Sequence, residues 1–385
     1  MSTWLFALGI LCTLAACHPF LTYPWSLVVI PMLQRARRRA GRMPEAELNC
    51  AICVCAYNEE HNITRKVENL LGLRAREPTL EILIYVDGAS DRTAEILREY
   101  GSQISLHVET RRLGKTYGMN LLASRTQAPI LIFTDANVLM DMDCVRDFRR
   151  YFTDVEIGCV CGNLIYTNSR ASATAFSGSA YWRFEEIVKR LEMESGSVIG
   201  ADGSVFAIRR SLHQPPPDHI IDDLYVSLKV LCSGFRVIQA SDAFAYEESV
   251  VSGREEFSRK MRIACQAFNV HRLLWPQLRR LDGITLYKYV SHKLIRWFTV
   301  YLLAVAALAF GAALILDGHA LFAAALVGCA AAALYIGSVS SIRPFAQFAA
   351  AIAALAGTGV GVWQSMLGER YQTWTPAASI RRLPG

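Results

Sequence analysis

The segment Ile130 to Asp141, ILIFTDANVLMD, joins an apolar run to a carboxylate and an amide that are separated by one residue. Side chains two residues apart in an extended chain lie on the same side, so Asp135 and Asn137 would present two oxygen ligands together. Such oxygens suit a hard cation. The same two residues would also serve as caps of a following helix, and the fragment alone leaves both interpretations open.

The chain around this segment has the pattern of an α/β domain. Strand-like apolar runs alternate with helix-like segments, which is typical of a mostly parallel sheet with helices on its faces. The predicted strands are residues 50–56, 80–86, 104–108 and 129–134. Ligands of such sheets bind beyond the carboxyl ends of the strands. The polar residues at those ends are Asn58, Glu59, Asp87, Asp91, Asp135 and Asn137.

Several ligand classes are disfavoured by the same sequence. No Gly-x-Gly-x-x-Gly follows the first strand, which argues against a dehydrogenase-type dinucleotide site and against a P-loop. A nucleotide diphosphate would need a divalent cation here, because carboxylates repel bare phosphate. The Cys50-x-x-Cys53 pair lies inside a strand-like run without a second pair, so a four-ligand zinc site is disfavoured. The net charge of +6 is mostly juxtamembrane arginine, which fits anionic lipid better than nucleic acid.

Apolar sequence is concentrated at both ends of the 385 residues. Trp4 to Leu33 carries no charge and is long enough to cross a bilayer. The basic segment Gln34 to Arg42 follows it and predicts a cytoplasmic location for that end. A lipoprotein-type cleavage before Cys17 is the alternative, although the basic n-region of a signal peptide is missing. Trp297 to Leu316 and Ala320 to Ile342 are each long enough to span.

The third C-terminal run, Pro344 to Gly368, is rich in alanine and glycine. Basic residues flank it on both sides, at Arg343 and Arg370, whereas the link Asp317-Gly318-His319 has no Lys or Arg and suits the outside. If both flanks are cytoplasmic, the run is re-entrant or lies in the membrane interface.

Seven segments resemble, in order and spacing, the motifs of the processive family 2 glycosyltransferases, the membrane-embedded synthases akin to cellulose, hyaluronan and poly-N-acetylglucosamine synthases. The segments are VCAYNEEHNI, IYVDGASDRT, RRLGKTYGMN, FTDANVLMD, GADGSVFAIRR, IIDDLYVSLKVL and EEFSRKMRI. The resemblance covers about Cys50 to Lys293. It implies an α/β fold of GT-A (Rossmann-like) type, with a mostly parallel sheet in a cytoplasmic catalytic domain flanked by transmembrane helices.

The resemblance implies a nucleotide site along the first strands. Tyr57 and Asp87 would hold the uracil end by stacking and hydrogen bonding. Asn58 and Glu59 follow the first strand at the same edge and are further candidates for donor binding. Lys115 is a candidate phosphate contact, with the solvated start of a helix as the alternative interpretation.

The resemblance also implies a role for Asp135 and Asn137. Asp135 and Asn137 occupy the place of the family's Asp-x-Asp, which binds the diphosphate through Mg²⁺ or Mn²⁺. Many members have a second Asp where this chain has Asn137, and an amide oxygen ligates a cation without offsetting its charge. We therefore expect weaker metal affinity unless Asp141 or Asp143 compensates, and either of these would otherwise open the next helix.

Three further positions carry catalytic roles by resemblance. Asp222-Asp223-Leu224 aligns with the Thr-Glu-Asp motif, which makes Asp223 the candidate general base, with Asp222 beside it. Both acids would alternatively cap the helix that starts there. Arg262 keeps the cation of the Gln-x-x-Arg-Trp motif and would stabilise the leaving UDP. Arg259 and Lys260 are donor-site candidates, or a basic helix face near anionic lipid.

The predicted function is that of an inverting, metal-dependent glycosyltransferase that moves a hexosyl or N-acetylhexosaminyl group from a UDP-sugar to a polysaccharide. Single transfer to a membrane lipid and a non-catalytic nucleotide-sugar scaffold are the alternatives. A second copy or a partner subunit would complete a translocation channel. The expected location is the bacterial inner membrane, with the catalytic domain cytoplasmic. The expected segments are a transmembrane helix (1–33), a basic linker (34–48), the glycosyltransferase domain (49–285), interfacial and transmembrane helices (286–368) and a cytoplasmic tail (369–385).

Overall fold

The computed structural model describes residues 1–33, 41–167, 173–248, 252–340 and 342–373. One eight-stranded sheet has the order β3-β2-β1-β4-β7-β6-β8-β5. Its strands are β1 (Cys50–Ala56), β2 (Glu81–Asp87), β3 (Ser105–Glu109), β4 (Ile130–Asp135), β5 (Leu139–Met140), β6 (Ile157–Tyr166), β7 (Val205–Arg209) and β8 (Arg236–Glu247). β1 pairs in parallel with β2 and β4, and β7 is antiparallel to both of its neighbours. The predicted mixed, mostly parallel sheet is confirmed.

Helices cover the sheet and extend beyond it at both ends of the chain. They are α1 (Ser2–Cys17), α2 (Thr22–Leu33), α3 (Ile63–Arg76), α4 (Thr93–Arg98), α5 (Lys115–Ser124), α6 (Cys144–Tyr151), α7 (Ala173–Glu194), α8 (Asp222–Cys232), α9 (Gly253–Leu278), α10 (Gly283–Tyr289), α11 (Ile295–Leu316), α12 (Ala320–Val339) and α13 (Arg343–Met366). A π-helical turn, Val290–Leu294, joins α10 to α11.

The central strands are apolar throughout because both of their faces are buried. Along β4, Ile130 and Ile132 pack into one apolar cluster, and Leu131 and Phe133 pack into the cluster on the opposite face. A strand with helices on both faces needs apolar residues at every position rather than at alternate ones. The polar residues therefore begin only where the strand ends, which places them at the carboxyl edge of the sheet.

The N-terminal apolar segment, expected as one helix, consists of α1 and α2, which are bent by 58° at a short break. The break contains Pro19, which lacks a backbone N–H and so cannot continue the hydrogen-bond ladder of α1. The basic residues 34–40 that follow lie outside the described residues.

By length and composition, the part of the chain that the structure describes contains three helices able to cross a membrane, or four spans if the bent α1–α2 pair counts as one. The three are Gly283–Leu316, Ala320–Val339 and Pro344–Met366. The third was expected to be re-entrant or interfacial, but α13 is one unbroken helix. It packs along α9, where a Cβ at Gly361 would lie only 2.1 Å from the carbonyl oxygen of Met261. Its position in a membrane stays a prediction.

Candidate active site

The loop after β4 carries Asp135 and Asn137 to the carboxyl edge, and a buried lysine holds it there. Lys66 of α3 is fully buried and donates hydrogen bonds to Thr134 Oγ1 at 3.2 Å and to the Val138 carbonyl oxygen at 2.5 Å. Burial lowers the pKa of Lys66 to about 7. Because its two acceptors flank Asp135 in the chain, the lysine fixes the loop on both sides of that carboxylate.

Lys115, the first residue of α5, joins two acidic parts of the site. Its ammonium nitrogen lies 2.6 Å from Asp135 Oδ1 and 3.9 Å from Asp222 Oδ2. These carboxylates raise the pKa of Lys115 even though burial opposes them. The predicted phosphate contact is therefore an ammonium group that bridges the loop after β4 and the start of α8.

The start of α8 places two carboxylates side by side. Asp222 is 6% exposed, and its Oδ2 has no hydrogen-bond partner among the described residues. Asp223 Oδ1 accepts a hydrogen bond from the Leu224 backbone at 2.5 Å. Its Oδ2 lies 2.8 Å from where a Cβ at Gly203 would stand, so a larger residue at position 203 would have to displace this carboxylate. Burial and the Asp222 charge raise the pKa of Asp223 to about 7, with Lys115 opposing them.

Arg262 of α9 faces these acids. Its Nη1 donates a hydrogen bond to Gln266 Oε1 at 3.1 Å. Burial and the neighbouring Arg259 lower the pKa of Arg262 to about 10, while Asp135 and Asp223 act in the opposite direction. The partly buried guanidinium is thus held near the acidic cluster, and its role towards the leaving group stays a prediction.

The other two cations of this motif have additional partners. Arg259 lies 3.4 Å from Glu256, and Lys260 lies 3.6 Å from the same carboxylate. The Lys260 ammonium also stands 4.8 Å from the centre of the Tyr181 ring. Nearby acids, with Tyr166, raise the pKa of Arg259 against the effect of burial. The structure brings Arg259 towards the site, and it places Lys260 against α7.

Local hydrogen bonds hold the loop before α5 against Asp87, at the end of the edge where a nucleotide base is expected. Asp87 is 4% exposed, and its Oδ1 accepts from the backbone N–H groups of Leu113 at 2.7 Å and Gly114 at 3.0 Å. Gly114 has a φ of 97° just before α5, a conformation that favours glycine. The guanidinium of Arg112 stacks on the Tyr57 ring at 3.6 Å. Arg112 therefore covers one face of the Tyr57 ring, which was expected to stack on the base.

Asn58 and Glu59 are engaged in the loop after β1. Asn58, with a φ of 53°, accepts from the Ser90 backbone at 2.8 Å and donates to Ser90 Oγ at 3.1 Å. Glu59 accepts from Asn62 at 3.1 Å, and its backbone N–H donates to Thr93 Oγ1 at 2.8 Å. Both residues join this loop to its neighbours, and their roles in donor binding stay predictions.

One acid of the site was missed in the sequence. Glu247, at the end of β8, is 9% exposed. Its Oε1 accepts from Asn137 Nδ2 at 3.1 Å, and its Oε2 accepts from Ser204 Oγ at 3.1 Å. Burial raises the pKa of Glu247 to about 7, with Arg259 opposing and Asp135 adding to the shift. Its only signal in the sequence is an acid at the end of an alternating strand.

The arrangement suits a nucleotide-bound cation better than a metal held by the protein alone. Among the described ranges of the chain, no three His, Cys, Asp or Glu side chains form a metal-binding group. Asp135 and Asn137 supply oxygen atoms, and the amide nitrogen of Asn137 is already bonded to Glu247. The amide oxygen is then the atom left for a hard cation, whose other ligands would come from phosphate and water.

Part of the chain is similar to known glycosyltransferases. Residues 51–214 match the glycosyl transferase family 2 model. The chain is similar to the O-antigen chain rhamnosyltransferase of Salmonella typhimurium, with 24% identity over 188 residues, 46% of this chain and 60% of that protein. It is also similar to poly-beta-1,6-N-acetyl-D-glucosamine synthase of Staphylococcus aureus, with 25% identity over 195 residues, 48% of this chain and 46% of that protein. The chain spans about half the length of these relatives.

A solved structure shows the same fold over nearly the whole chain. It is a mannosyltransferase of Pyrobaculum calidifontis in complex with GDP-Man and Mn²⁺, with a TM-score of 0.72 and 20% identity, covering 95% of this chain and 99% of that chain. The expected GT-A fold is thereby confirmed. Residues 51–214 are similar to the family 2 glycosyltransferases, the broader group to which the synthases of the resemblance belong.

Proposed function

We propose that this chain, whose residues 51–214 form a family 2 glycosyltransferase domain, is a membrane-bound inverting enzyme that transfers a sugar from a UDP-sugar to a growing polysaccharide. The observation that carries the proposal is the bridge of Lys115 between Asp135 and Asp222. This bridge supports a diphosphate site next to the candidate base, Asp223, within one cluster of charges.

The chemistry follows from the surroundings of each group. The Asp223 carboxylate takes the proton of the acceptor hydroxyl while the hydroxyl oxygen attacks the anomeric carbon and the bond from that carbon to the UDP oxygen breaks. A carboxyl with a pKa of about 7 suits this task, because it is a stronger base than an ordinary aspartate and is still about half ionised near neutral pH. Arg262 and Lys115 stabilise the charge that develops on the leaving diphosphate.

The donor site uses the remaining residues of the edge. Asp135 and Asn137 hold Mg²⁺ or Mn²⁺, which offsets the diphosphate charge when bound. Tyr57 and Asp87 position the base, with Asn58 and Glu59 supporting the loop that carries Tyr57. The Mn²⁺ in the similar mannosyltransferase structure supports a divalent cation, and the name of the staphylococcal relative supports a polymer product.

The membrane arrangement is part of the proposal. α11 and α12 span the bacterial inner membrane, α13 is re-entrant or lies in the interface, α1 and α2 anchor the N-terminus, and the catalytic domain of residues 49–285 lies on the cytoplasmic side. The residues after α13 support this arrangement because they bind the catalytic domain: Gln266 Nε2 donates to the Tyr371 carbonyl oxygen at 2.7 Å, and Gln372 Nε2 donates to the Leu113 carbonyl oxygen at 2.9 Å. Support comes from the length and apolar composition of these helices. The basic residues 34–40 provide the expected contact with anionic lipid.

Single transfer to a membrane lipid is the second candidate, and one contact favours it. A Cβ at Gly200 would lie 3.4 Å from Lys293 Cε, so the segment that leads into α11 reaches the loop next to Asp223. Lys293 is paired with Glu185 at 3.3 Å. A cation at the start of a membrane helix, near the loop that packs against Asp223, would suit an acceptor with an anionic headgroup. The scaffold alternative gives the buried base candidate no task.

The test is a turnover assay on the full chain in nanodiscs. A panel of UDP- and GDP-sugars is supplied with Mn²⁺ or Mg²⁺, nucleotide release is measured, and the product is sized. We expect metal-dependent release with a UDP-sugar and a product of high mass. A lipid that carries one sugar would support the second candidate. Tight nucleotide binding without release, even when candidate acceptors are supplied, would overturn the enzyme proposal in favour of a scaffold.

A further inference from the structure

The motif positions of the candidate cation site carry less negative charge than a divalent cation would need for neutrality. Its two motif positions provide one carboxylate, Asp135, and one neutral amide, Asn137. The acids expected to compensate are engaged elsewhere. Asp143 lies 3.1 Å from Arg76 and 3.2 Å from Arg146 in partly exposed ion pairs, and its backbone N–H donates to Asp141 at 3.1 Å. These contacts fit the alternative interpretation that the two acids open α6.

Glu247 reaches the site from the other half of the sheet. β5 pairs with β8 in the register Leu139↔Tyr246, so the end of β8 lies beside the loop after β4. Glu247 then bonds Asn137 through one carboxylate oxygen and Ser204 through the other. The Ser204 carbonyl oxygen accepts from the Asp135 backbone N–H at 3.3 Å. Asp135 and Glu247 are thus linked through Ser204 and are held in one hydrogen-bonded group.

The hydrogen-bond partners of Glu247 bring no charge that could offset a negative charge on its carboxylate. Its two hydrogen bonds come from an amide and a hydroxyl, which are neutral donors. Arg259 is a cation that faces it, and Asp202 is a further acid nearby. The Arg259 guanidinium is shared with Glu256. A buried carboxylate among other acids is costly unless a cation compensates it.

We propose that Glu247 supplies the second carboxylate of the divalent-cation site, together with Asp135 and the amide oxygen of Asn137. The inference rests on the proposed function, since it assigns a ligand of that same site. Two carboxylates match the charge of one divalent cation. Asn137 is then the neutral group that orients Glu247, because a second Asp at that position would face Glu247 as a like charge.

The experiment is a Mn²⁺ titration followed by electron paramagnetic resonance, with the purified full chain in nanodiscs and saturating UDP. Glu247→Gln should weaken Mn²⁺ binding about 10- to 100-fold, the loss typical of a disrupted metal site. The double variant Asn137→Asp with Glu247→Gln restores the second carboxylate, now at position 137, and should recover most of the Mn²⁺ affinity. Asp143→Asn is the matched control and should bind Mn²⁺ as the unsubstituted protein does.

The outcomes separate this inference from the proposed function. Unchanged Mn²⁺ affinity in Glu247→Gln, with tight binding in the unsubstituted protein, would overturn the role of Glu247 alone. If the unsubstituted protein binds no Mn²⁺ with UDP or GDP, the metal-dependent function falls as well. If Glu247→Gln does not fold, Glu247→Asp withdraws the carboxylate by one methylene, and unchanged affinity in that variant would contradict the proposal.

Discussion

Asp87 and Asp223 are both largely buried at the carboxyl edge of the sheet, yet their surroundings differ. Asp87 accepts hydrogen bonds from the backbone N–H groups of Leu113 and Gly114, which hold its carboxylate in one position. Asp223 stands beside Asp222 and against Gly203, and its raised pKa shows that its charged form is disfavoured. Asp87, on the candidate nucleotide side, is thus held in a fixed position by its hydrogen bonds. Asp223, on the candidate reacting side, is instead a carboxylate with a raised proton affinity, as a general base needs.

The largest effect should come from the reacting side. Asp223→Asn keeps the shape but removes the base, so we expect kcat to fall about 10²- to 10⁴-fold. UDP binding should be unchanged, which calorimetry with UDP and Mn²⁺ would measure alongside nucleotide release. Turnover within a few-fold of the unsubstituted protein would show that another group is the base.

A smaller loss of rate should follow from Arg262→Gln. The guanidinium faces Asp135 and Asp223 and is placed to stabilise the leaving diphosphate, so we expect kcat to fall about 10²- to 10³-fold. Arg254→Gln, on the exposed part of the same helix, is the control and should have little effect. Equal losses in both variants would point to general binding by a basic helix rather than to a specific contact.

On the nucleotide side, the main effect of a substitution should be on stability. Asp87→Asn loses charge-assisted bonds to two backbone N–H groups, and its new amide would face one of these donors. We expect the free energy of unfolding to fall by about 1.5–3 kcal/mol. Thermal unfolding followed by fluorescence would measure this, with Asp143→Asn as the surface control. An unchanged unfolding temperature would remove the contrast between the two carboxylates.

The smallest predicted effect has the opposite sign. The pKa of Asp223 is raised in the folded state, so its contribution to stability is present at low pH and is lost as the pH rises through about 7. Asp223→Asn cannot ionise at this position, so it does not lose stability in this way. At about pH 8 its free energy of unfolding should exceed that of the unsubstituted protein by about 1–2 kcal/mol, and the difference should be smaller at about pH 5. A difference in stability that does not change with pH would contradict the raised pKa of Asp223.

Local sequence predicts the part of the site that lies directly after apolar runs. The strands β1 to β4 agree with their predicted bounds to within one residue, because a strand buried on both faces is an uninterrupted apolar run. The same logic locates Asp87 and Asp135. Asp222 and Asp223 were located by their resemblance to the family's Thr-Glu-Asp motif, and both begin α8.

Contacts between distant segments could not be predicted in this way. Glu247 and Asn137 are 110 positions apart and meet only because β5 pairs with β8. Lys66 interrupts the apolar face of α3 between Ile63 and Val67, which is a weak indication in the sequence of a special role. Its acceptors could not be predicted, because they lie on a different element. The break at Pro19 is also a local feature that a count of apolar residues overlooks.

The anomeric configuration of the first product tests the central claim most directly. A UDP-sugar with an α-linked anomeric carbon is supplied to the full chain in nanodiscs, and the new linkage is assigned by proton NMR. In-line attack assisted by a single base, Asp223, predicts a β-linkage. An α-linked product would contradict the inverting mechanism and the role of Asp223 as its base.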